Sequence, residues 1–154
     1  MAEQKFQNQP IVPYLAAEGA TEAIEFYERA LGAVVDGEVL RMPGGEVGHA
    51  TLAIGDAVFM LSDAFPDMGA PAPTQIGGTT VSMKVYVYDC DAATDRAVAA
   101  GATLEMAPTD QFWGNRDSRV VDPFGHRWNL AQKIEDVSTE EMARRVAEFD
   151  PGAH

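Results

Sequence analysis

The sequence predicts an α+β fold in which a β-α-β-β-β module occurs twice along one chain. In each half, a strand pattern is followed by an amphipathic helix that stops at a glycine, and further strand patterns come after it. Leu-Gly-Ala at 31–33 matches Ala-Gly-Ala at 100–102, and Met-Leu at 60–61 matches Asn-Leu at 129–130, both with an offset of 69 residues. A constant offset between otherwise different segments indicates structural duplication.

The first module is assigned to residues 8–64. Its helix carries apolar residues at helical spacing and stops at Gly32. Its last two strands flank Gly55 and Asp56, a pair typical of a tight hairpin. In chain order, the predicted elements are a strand at 11–17, a helix at 20–31 and strands at 33–41, 47–54 and 57–63.

The second module is assigned to residues 80–134 and ends in a hairpin at 118–132. Pro123 suits the first inner position of a type I turn, and Gly125 suits the left-handed position after it. We therefore expect Asp122 and His126 to close the loop, with His126 as a surface turn residue. The facing pairs are then Val121 with Arg127, Val120 with Trp128 and Arg119 with Asn129.

The elements before the hairpin are a strand at 81–88, a helix capped by Asp91 that runs to residue 100, and a strand at 102–107.

Two segments lie outside the modules. Residues 65–79 are rich in proline and glycine, and we expect a loop that acts either as a linker or as a lid. In the segment 135–154, Ser138 and Glu141 form a capping box at the start of a helix that reaches about residue 149. The apolar side of this helix should pack on the same domain or on a second subunit.

Composition excludes several classes of function. The 154 residues carry a net charge of −13, which argues against nucleic acid as a partner, because phosphates must be neutralised by Lys and Arg. An acidic surface attracts cations or simply maintains solubility. Neither a bilayer-spanning run nor a signal peptide is visible, so we expect no membrane partner. Cys90 is the single cysteine, which favours a cytoplasmic protein and a structural thiol at a helix entry.

Short motifs accompany the duplicated module and the Asp-Pro-Phe-Gly-His turn at 122–126. They are Pro-Tyr-Leu at 13–15, Ala-Ile-Glu-Phe-Tyr at 23–27, His-Ala at 49–50, Ile-Gly-Asp at 54–56, Met-Leu-Ser-Asp at 60–63 and Phe-Trp-Gly-Asn-Arg at 112–116. Over residues 11–133 the chain resembles the vicinal oxygen chelate superfamily of glyoxalases, bleomycin-resistance proteins and dioxygenases, and within it the PhnB-like branch. The resemblance implies that residues 1–134 form one domain with two cupped mixed sheets. It does not define an activity, because this fold hosts enzymes and plain binders alike.

The family's metal site is not reproduced in this sequence. Metal-using members hold a divalent ion with His or Glu from the first and last strands of each module. The resemblance carries these positions to Val12 or Pro13, Met60, Ser82 and Asn129. None is His, Glu or Asp, and such side chains substitute poorly for imidazole and carboxylate ligands. We therefore expect neither a metal nor another cofactor.

The sides of the two sheets that face away from the helices carry the family's ligand positions, and we name them the first and second cup faces. The Gly55 hairpin predicts that the first cup face carries His49, Thr51, Ala53, Val58, Met60 and Ser62. The second is expected to carry Ser82, Lys84, Tyr86, Arg119, Arg127 and Asn129, with Asp117 and Glu105 as candidate neighbours. The opposite, buried sides should include Leu52, Ile54, Phe59, Leu61, Val85, Val120, Trp128 and Leu130.

His49 is the candidate catalytic residue, as a general acid or base near neutral pH, or else an orienting partner in a polar network. The candidate ligand-binding residues are Thr51, Met60, Ser62, Tyr86, Trp113, Arg119 and Asn129. The basic residues of the second cup face could bind a carboxylate or phosphate, or form ion pairs within the chain. Trp113 is expected to line the pocket or to plug the open end of the sheet.

Three functions fit these features. The first is a metal-free binder of a planar or cationic small molecule, as the resemblance to bleomycin-resistance proteins implies. The second is a glyoxalase-like lyase or isomerase that uses His49 or a metal held elsewhere. The third is a non-catalytic interaction module. Because modules pair between subunits in the proteins that this chain resembles, we also expect a homodimer.

Overall fold

The computed structural model describes residues 8–150 and Gly152. It contains nine strands and four α-helices in this part of the chain. The elements are β1 (Tyr14–Ala17), α1 (Ala20–Leu31), β2 (Val34–Val35), β3 (Leu40–Arg41), β4 (Val47–Ile54), β5 (Ala57–Asp63), α2 (Pro73–Ile76), β6 (Ser82–Tyr86), α3 (Cys90–Ala100), β7 (Thr103–Asp110), β8 (Asn115–Val121), β9 (Arg127–Lys133) and α4 (Thr139–Glu148). None of the helices in the described residues is long and apolar enough to cross a membrane.

The strands form two mixed sheets, as the sequence predicted. The first has the order β1-β5-β4-β2, with β3 also paired to β4, and the second has the order β6-β9-β8-β7. In each sheet the first strand runs parallel to the last strand of its module, and the remaining pairs are antiparallel. The two sheets therefore share one topology, and the predicted α+β duplication is confirmed.

The register of the first sheet follows from its tight hairpin. Gly55 has a positive φ of 57°, and the pairs Thr51 with Met60 and Leu52 with Phe59 form as expected. One side of the hairpin is thereby buried under α1. Of the eight predicted core residues, six are buried, and Ile54 and Val85 are partly buried against the core.

The last hairpin also has the predicted register. The Asp122 amide donates to the His126 carbonyl at 2.8 Å, and the three predicted facing pairs are present. His126 is not a surface residue, however, because it is only 8% exposed and its Nε2 lies 2.8 Å from the Ala16 carbonyl oxygen. The expectation of a surface histidine was wrong, since the turn of the second module packs against the first module.

A buried carboxylate joins the two modules. Asp122 Oδ1 accepts from the amides of Phe124 and His126, which fixes the turn. Its Oδ2 accepts from the Tyr27 hydroxyl at 2.5 Å and from Trp128 Nε1 at 2.8 Å. Because Tyr27 belongs to α1, this carboxylate links the first module's helix to the second module's hairpin.

Helix packing and an aromatic cluster complete the contact between the modules. Helix α1 packs against α3, and Arg96 Nε donates to the Arg29 carbonyl at 2.6 Å. The ring centroids of Tyr27, Phe59 and Trp128 lie 5.4–5.5 Å apart in each pair. The helices and these rings thus lie between the modules, on the side of each sheet opposite the cup faces.

Two predicted elements differ from the structure. The strand expected at 33–41 is split into β2 and β3, because Gly37 between them adopts a φ of 83° that breaks the extended backbone. Helix α3 is capped by Asp89 rather than Asp91, since Asp89 Oδ1 accepts from the Ala92 amide at 3.0 Å. The Asp91 carboxylate pairs with Arg116 instead.

The segment between the modules is more ordered than a plain loop. It contains a 3-10 turn at Pro66–Met68 and helix α2, so the expectation of a loop throughout residues 65–79 was wrong. Ala72 and Pro73 are buried, and the Thr74 hydroxyl bonds the Glu18 carboxylate. A Cβ on Gly125 would lie 2.9 Å from Pro73, which shows how closely the segment packs on the last hairpin's turn.

Candidate functional site

The first cup face carries a chain of hydrogen bonds centred on His49. The Tyr14 hydroxyl lies 2.9 Å from His49 Nδ1, and Thr51 Oγ1 lies 3.2 Å from His49 Nε2. Hydroxyl groups can donate or accept, so either neutral tautomer of His49 satisfies both contacts. Tyr14 is 54% exposed and forms the outer end of the chain. A ligand that contacts Tyr14 could therefore exchange a proton with His49 through one hydroxyl.

Tyr14 was not among the candidate residues taken from the sequence. It reaches the first cup face because β1 runs parallel to β5 and places Tyr14 directly beside Met60. A turn fixes the register of an antiparallel hairpin, but no local signal fixes the register of a parallel pair. The available clue was the alternation of β1, since Tyr14 and Ala16 lie on one side and Leu15 and Ala17 are buried on the other.

The other predicted residues of the first cup face lie where the register placed them. Thr51 and Ser62 are buried, and Met60 is half-buried. The Ser62 hydroxyl donates to the Asp63 carbonyl at 2.9 Å, so it keeps only acceptor capacity for a ligand. This face thus offers a thioether and a tyrosine ring beside a short polar chain.

The second cup face is more strongly charged. Arg127 pairs with Glu105, with Nε and Oε2 3.1 Å apart, and Lys84 Nζ lies 3.8 Å from Asp117 Oδ2. Of the two alternatives for the basic residues of this face, ion pairs within the chain therefore apply to Arg127 and Lys84. Arg119 lies opposite Asn129, and its side chain forms neither a hydrogen bond nor an ion pair with the residues 8–150.

Asp117 and Asn129 present buried acceptor atoms. Asp117 is only 1% exposed, and neither of its carboxylate oxygens has a hydrogen-bond partner among the described residues. Asn129 Oδ1 is likewise buried and without a donor in this part of the chain. A buried acceptor without a donor costs free energy of folding. The hydrogen-bonding capacity of this face is therefore not satisfied by the described residues.

Trp113 lies in the turn between β7 and β8. It is 39% exposed and packs on Phe112, whose ring lies 5.0 Å from that of Phe149 at the end of α4. Arg145 of α4 also donates to the Phe112 carbonyl at 2.7 Å. Trp113 therefore belongs to a contact between the β7–β8 turn and the C-terminal helix, and its role toward a ligand stays a prediction.

A cavity lined by residues of both sheets lies beside β6. A cavity of about 300 Å³ lies between β6 and the start of β5, with Lys84 and Tyr86 on one side and Pro13 and Val58 on the other. Among the described residues, no hydrogen bond, ion pair or ring contact joins His49, Thr51, Met60 or Ser62 to Tyr86, Arg119 or Asn129. The described part of one chain therefore does not join the two halves of the predicted site, and a single site made of both stays a prediction.

The family's metal positions do not supply a coordination site. Met60, Ser82 and Asn129 offer a thioether, a hydroxyl and an amide, and both nitrogens of His49 bond hydroxyl groups. No group of three or more His, Cys, Asp or Glu side chains within the described residues is arranged to hold a metal ion. Such a donor set does not fit the divalent ion that the fold family implies.

Comparisons with known proteins agree with this architecture. A family model described as the Glyoxalase/Bleomycin resistance protein/Dioxygenase superfamily matches residues 11–130. An uncharacterized protein of Mycobacterium tuberculosis is 42% identical to the chain, over 91% of this chain and 84% of its own. An X-ray structure of an Arabidopsis thaliana gene product has a TM-score of 0.64 at 27% identity, over 79% of this chain and 96% of its own.

A further solved structure shares this fold. It is a Bacillus cereus protein described as a putative 3-demethylubiquinone-9 3-methyltransferase, PhnB protein, with a TM-score of 0.59 and 20% identity over 80% of this chain and 99% of its own. At this identity the likeness concerns the fold. The resemblance to the superfamily is confirmed by the family model, and the chain belongs to the Glyoxalase/Bleomycin resistance protein/Dioxygenase superfamily.

Proposed function

We propose that the protein binds a small organic molecule on its cup faces without a divalent metal, in the manner of the bleomycin-resistance proteins of its superfamily. The observation that carries this proposal is the hydrogen-bond chain of Tyr14, His49 and Thr51 on the side of the first sheet opposite the one packed under α1. Half-buried Met60 lies directly beside Tyr14 and adds apolar surface. Apolar surface with a few convergent polar groups is typical of small-molecule sites.

We infer that the site is completed by a second copy of the chain. Strands β1 and β6 each pair on one side only among the described residues, so both sheets have an open edge next to a cup face. Unpaired edges favour association with another strand. A homodimer that joins these edges would bring the cup face of one module over that of the other. Since Cys90 is a free, buried thiol, a cytoplasmic setting suits the protein.

A catalytic role is the second candidate, and the same hydrogen-bond chain favours it. Proton transfer between a ligand and His49 through the Tyr14 hydroxyl would suit a lyase or isomerase. Such an enzyme would lose turnover in both Tyr14→Phe and His49→Ala, whereas a binder would lose affinity alone. Comparing ligand before and after incubation with the protein, by mass spectrometry, separates the two roles.

The proposal is tested by a thermal-shift screen of a metabolite library, followed by NMR of protein labelled at the methionine methyl groups. A ligand of the cup should shift the Met60 methyl resonance, which Met60→Leu assigns. The methyl of Met68, which is exposed on the 3-10 turn after β5, serves as the internal reference. Hits that leave the Met60 signal unmoved while shifting others would place the binding site elsewhere and refute the proposal.

A further inference from the structure

The second cup face contains a buried carboxylate, that of Asp117, without a hydrogen-bond donor among the described residues. Asp117 lies on β8, directly opposite Ala131 of β9, on the same side of the sheet as Arg119. It is 1% exposed, and both oxygens lack a hydrogen-bond donor within the described residues. The ammonium group of Lys84 is 3.8 Å away, too far for a hydrogen bond. An ionised carboxylate can accept several hydrogen bonds, so Asp117 has unused capacity.

A second acceptor lies near it. Asn129 is directly opposite Arg119 in the β8–β9 pair, and its Oδ1 is buried with no donor in the described part of the chain. Two acceptors on one face match a group that donates more than one hydrogen bond. A protonated amine has three such donors and adds a charge-assisted bond to the carboxylate.

The same face also carries a guanidinium group, that of Arg119, without a partner among the described residues. Arg127 is ion-paired with Glu105, and Lys84 lies beside Asp117, but the side chain of Arg119 has no ion pair or hydrogen bond within residues 8–150. Arg119 is two residues after Asp117 on one strand, so their Cα atoms are about 7 Å apart. A guanidinium group binds a carboxylate with two parallel hydrogen bonds. The face thus presents a carboxylate without hydrogen-bond donors beside a guanidinium group without a partner among the described residues.

We propose that the second cup face binds a small zwitterion, whose protonated amine donates to Asp117 and Asn129 and whose carboxylate accepts from Arg119. This inference rests on the proposed function, since it names the ligand class of the same cup. The flexible side chain of Lys84, which lies near Asp117, moves aside as the amine takes its place. The apolar part of the ligand lies toward Tyr86, a ring that is 67% exposed on the same face. The ligand is then an amino acid or a similar amine-bearing organic acid.

Three matched probes test the ligand class. L-phenylalanine carries both charged groups, 3-phenylpropanoate lacks the amine, and 2-phenylethylamine lacks the carboxylate. Dissociation constants are measured by ligand-observed NMR at neutral pH and moderate salt. We expect phenylalanine to bind at least about tenfold more tightly than either single-charge probe, because each lost charge-assisted bond removes a comparable amount of affinity.

Two variants test the assigned roles. Asp117→Asn should abolish the preference for phenylalanine over 3-phenylpropanoate and keep the preference over 2-phenylethylamine, and Arg119→Gln should do the reverse. The matched controls are Asp110→Asn and Arg144→Gln, which remove an exposed carboxylate and an exposed guanidinium from surface ion pairs. Both controls should retain the wild-type order of affinities, and melting temperatures confirm that every variant is folded.

Several results would overturn the inference. Equal affinities for the three probes, no binding of phenylalanine, or unchanged preferences in both variants would each contradict it. Tighter binding of 2-phenylethylamine would assign a simple cation site instead. These outcomes differ from failure of the proposed function, because a library compound that shifts the Met60 methyl without carrying both charges would leave that function standing.

Discussion

Both ring nitrogens of His49 form hydrogen bonds with hydroxyl groups, and these two contacts fix the ring on the first cup face. Because His49 lies outside the core, its side chain can be removed without loss of core packing. The side of the sheet that packs under α1 carries Leu52, which is fully buried, whereas His49 lies on the opposite side. Substitutions at these two positions therefore separate ligand binding from stability.

We expect His49→Ala to weaken ligand binding roughly tenfold, the equivalent of about 1.4 kcal/mol for one good hydrogen bond. Leu52→Ala should instead cost about 2–5 kcal/mol of unfolding free energy, because it opens a core cavity. Titration calorimetry with a library hit and chemical denaturation measure the two effects. If affinity were unchanged in a folded His49→Ala protein, His49 would have a structural role only.

The pKa of Tyr27 is affected by its burial and by its hydrogen bond to Asp122, the carboxylate that joins the modules. Burial raises the pKa of Tyr27 well above its ordinary value, and the neighbouring negative charge of Asp122 raises that pKa further. In the unfolded chain the phenol titrates near pH 10, whereas in the folded chain it stays neutral to higher pH. Its contribution to stability is therefore complete below about pH 10 and is lost as the pH rises above that value.

We expect the stability of the wild-type protein to fall more steeply between about pH 9 and pH 11 than that of Tyr27→Phe, by at most about 1.4 kcal/mol per pH unit. Tyr88→Phe is the control, since Tyr88 is fully exposed. Urea denaturation across this pH range measures the slopes. Parallel slopes for wild type and Tyr27→Phe would show that Tyr27 does not couple folding to pH.

At the level of elements, α4 is held by caps and ion pairs at its ends rather than by core packing. The Ser138 hydroxyl accepts from the Glu141 amide at 3.1 Å, and none of the residues of α4 that the structure describes is buried. Hydrogen bonds from Arg144 and Arg145 lower the pKa of Glu141 to about 2. The expected capping box is thus half formed, because the Glu141 side chain bonds these arginines.

Replacing Ser138 by Ala should cost about 1 kcal/mol of local helix stability. Amide exchange in α4 should then become roughly fivefold faster, while exchange in the two sheets stays unchanged. Thr139→Ala, at the first helical position, is the matched control. Hydrogen exchange followed by mass spectrometry reports on both regions. Equal exchange in α4 of wild type and Ser138→Ala would show that packing on Phe112, not the cap, holds the helix.

Elements set by local chemistry were predicted from the sequence, and those set by distant contacts were not. The turn residues at Gly55 and Gly125 fixed two registers and thereby the positions of His49 and Asn129. The position of Tyr14 depends on a parallel pairing between distant strands, and the burial of His126 depends on contact with the other module. Neither contact can be predicted from the residues next to it in the sequence.

At the level of the whole molecule, the modules meet through helices and aromatic rings, and their sheets stay separate within one chain. The open edges at β1 and β6 lead us to expect a dimer, with a mass twice the 16.6 kDa of one chain. Light scattering after size exclusion at micromolar concentrations measures this mass. A protein that stays monomeric with and without ligand would require the cup of a single chain to form the whole site.

The central claim is that the cup binds its ligand without a divalent metal, and calorimetry with chelator-treated protein tests it most directly. A library hit is titrated into the treated protein and into the same protein after addition of zinc, nickel or iron, with elemental analysis of both samples. We predict equal affinities and less than stoichiometric metal after dialysis. Stoichiometric metal that survives dialysis, together with binding or turnover that returns only when metal is added, would contradict the account.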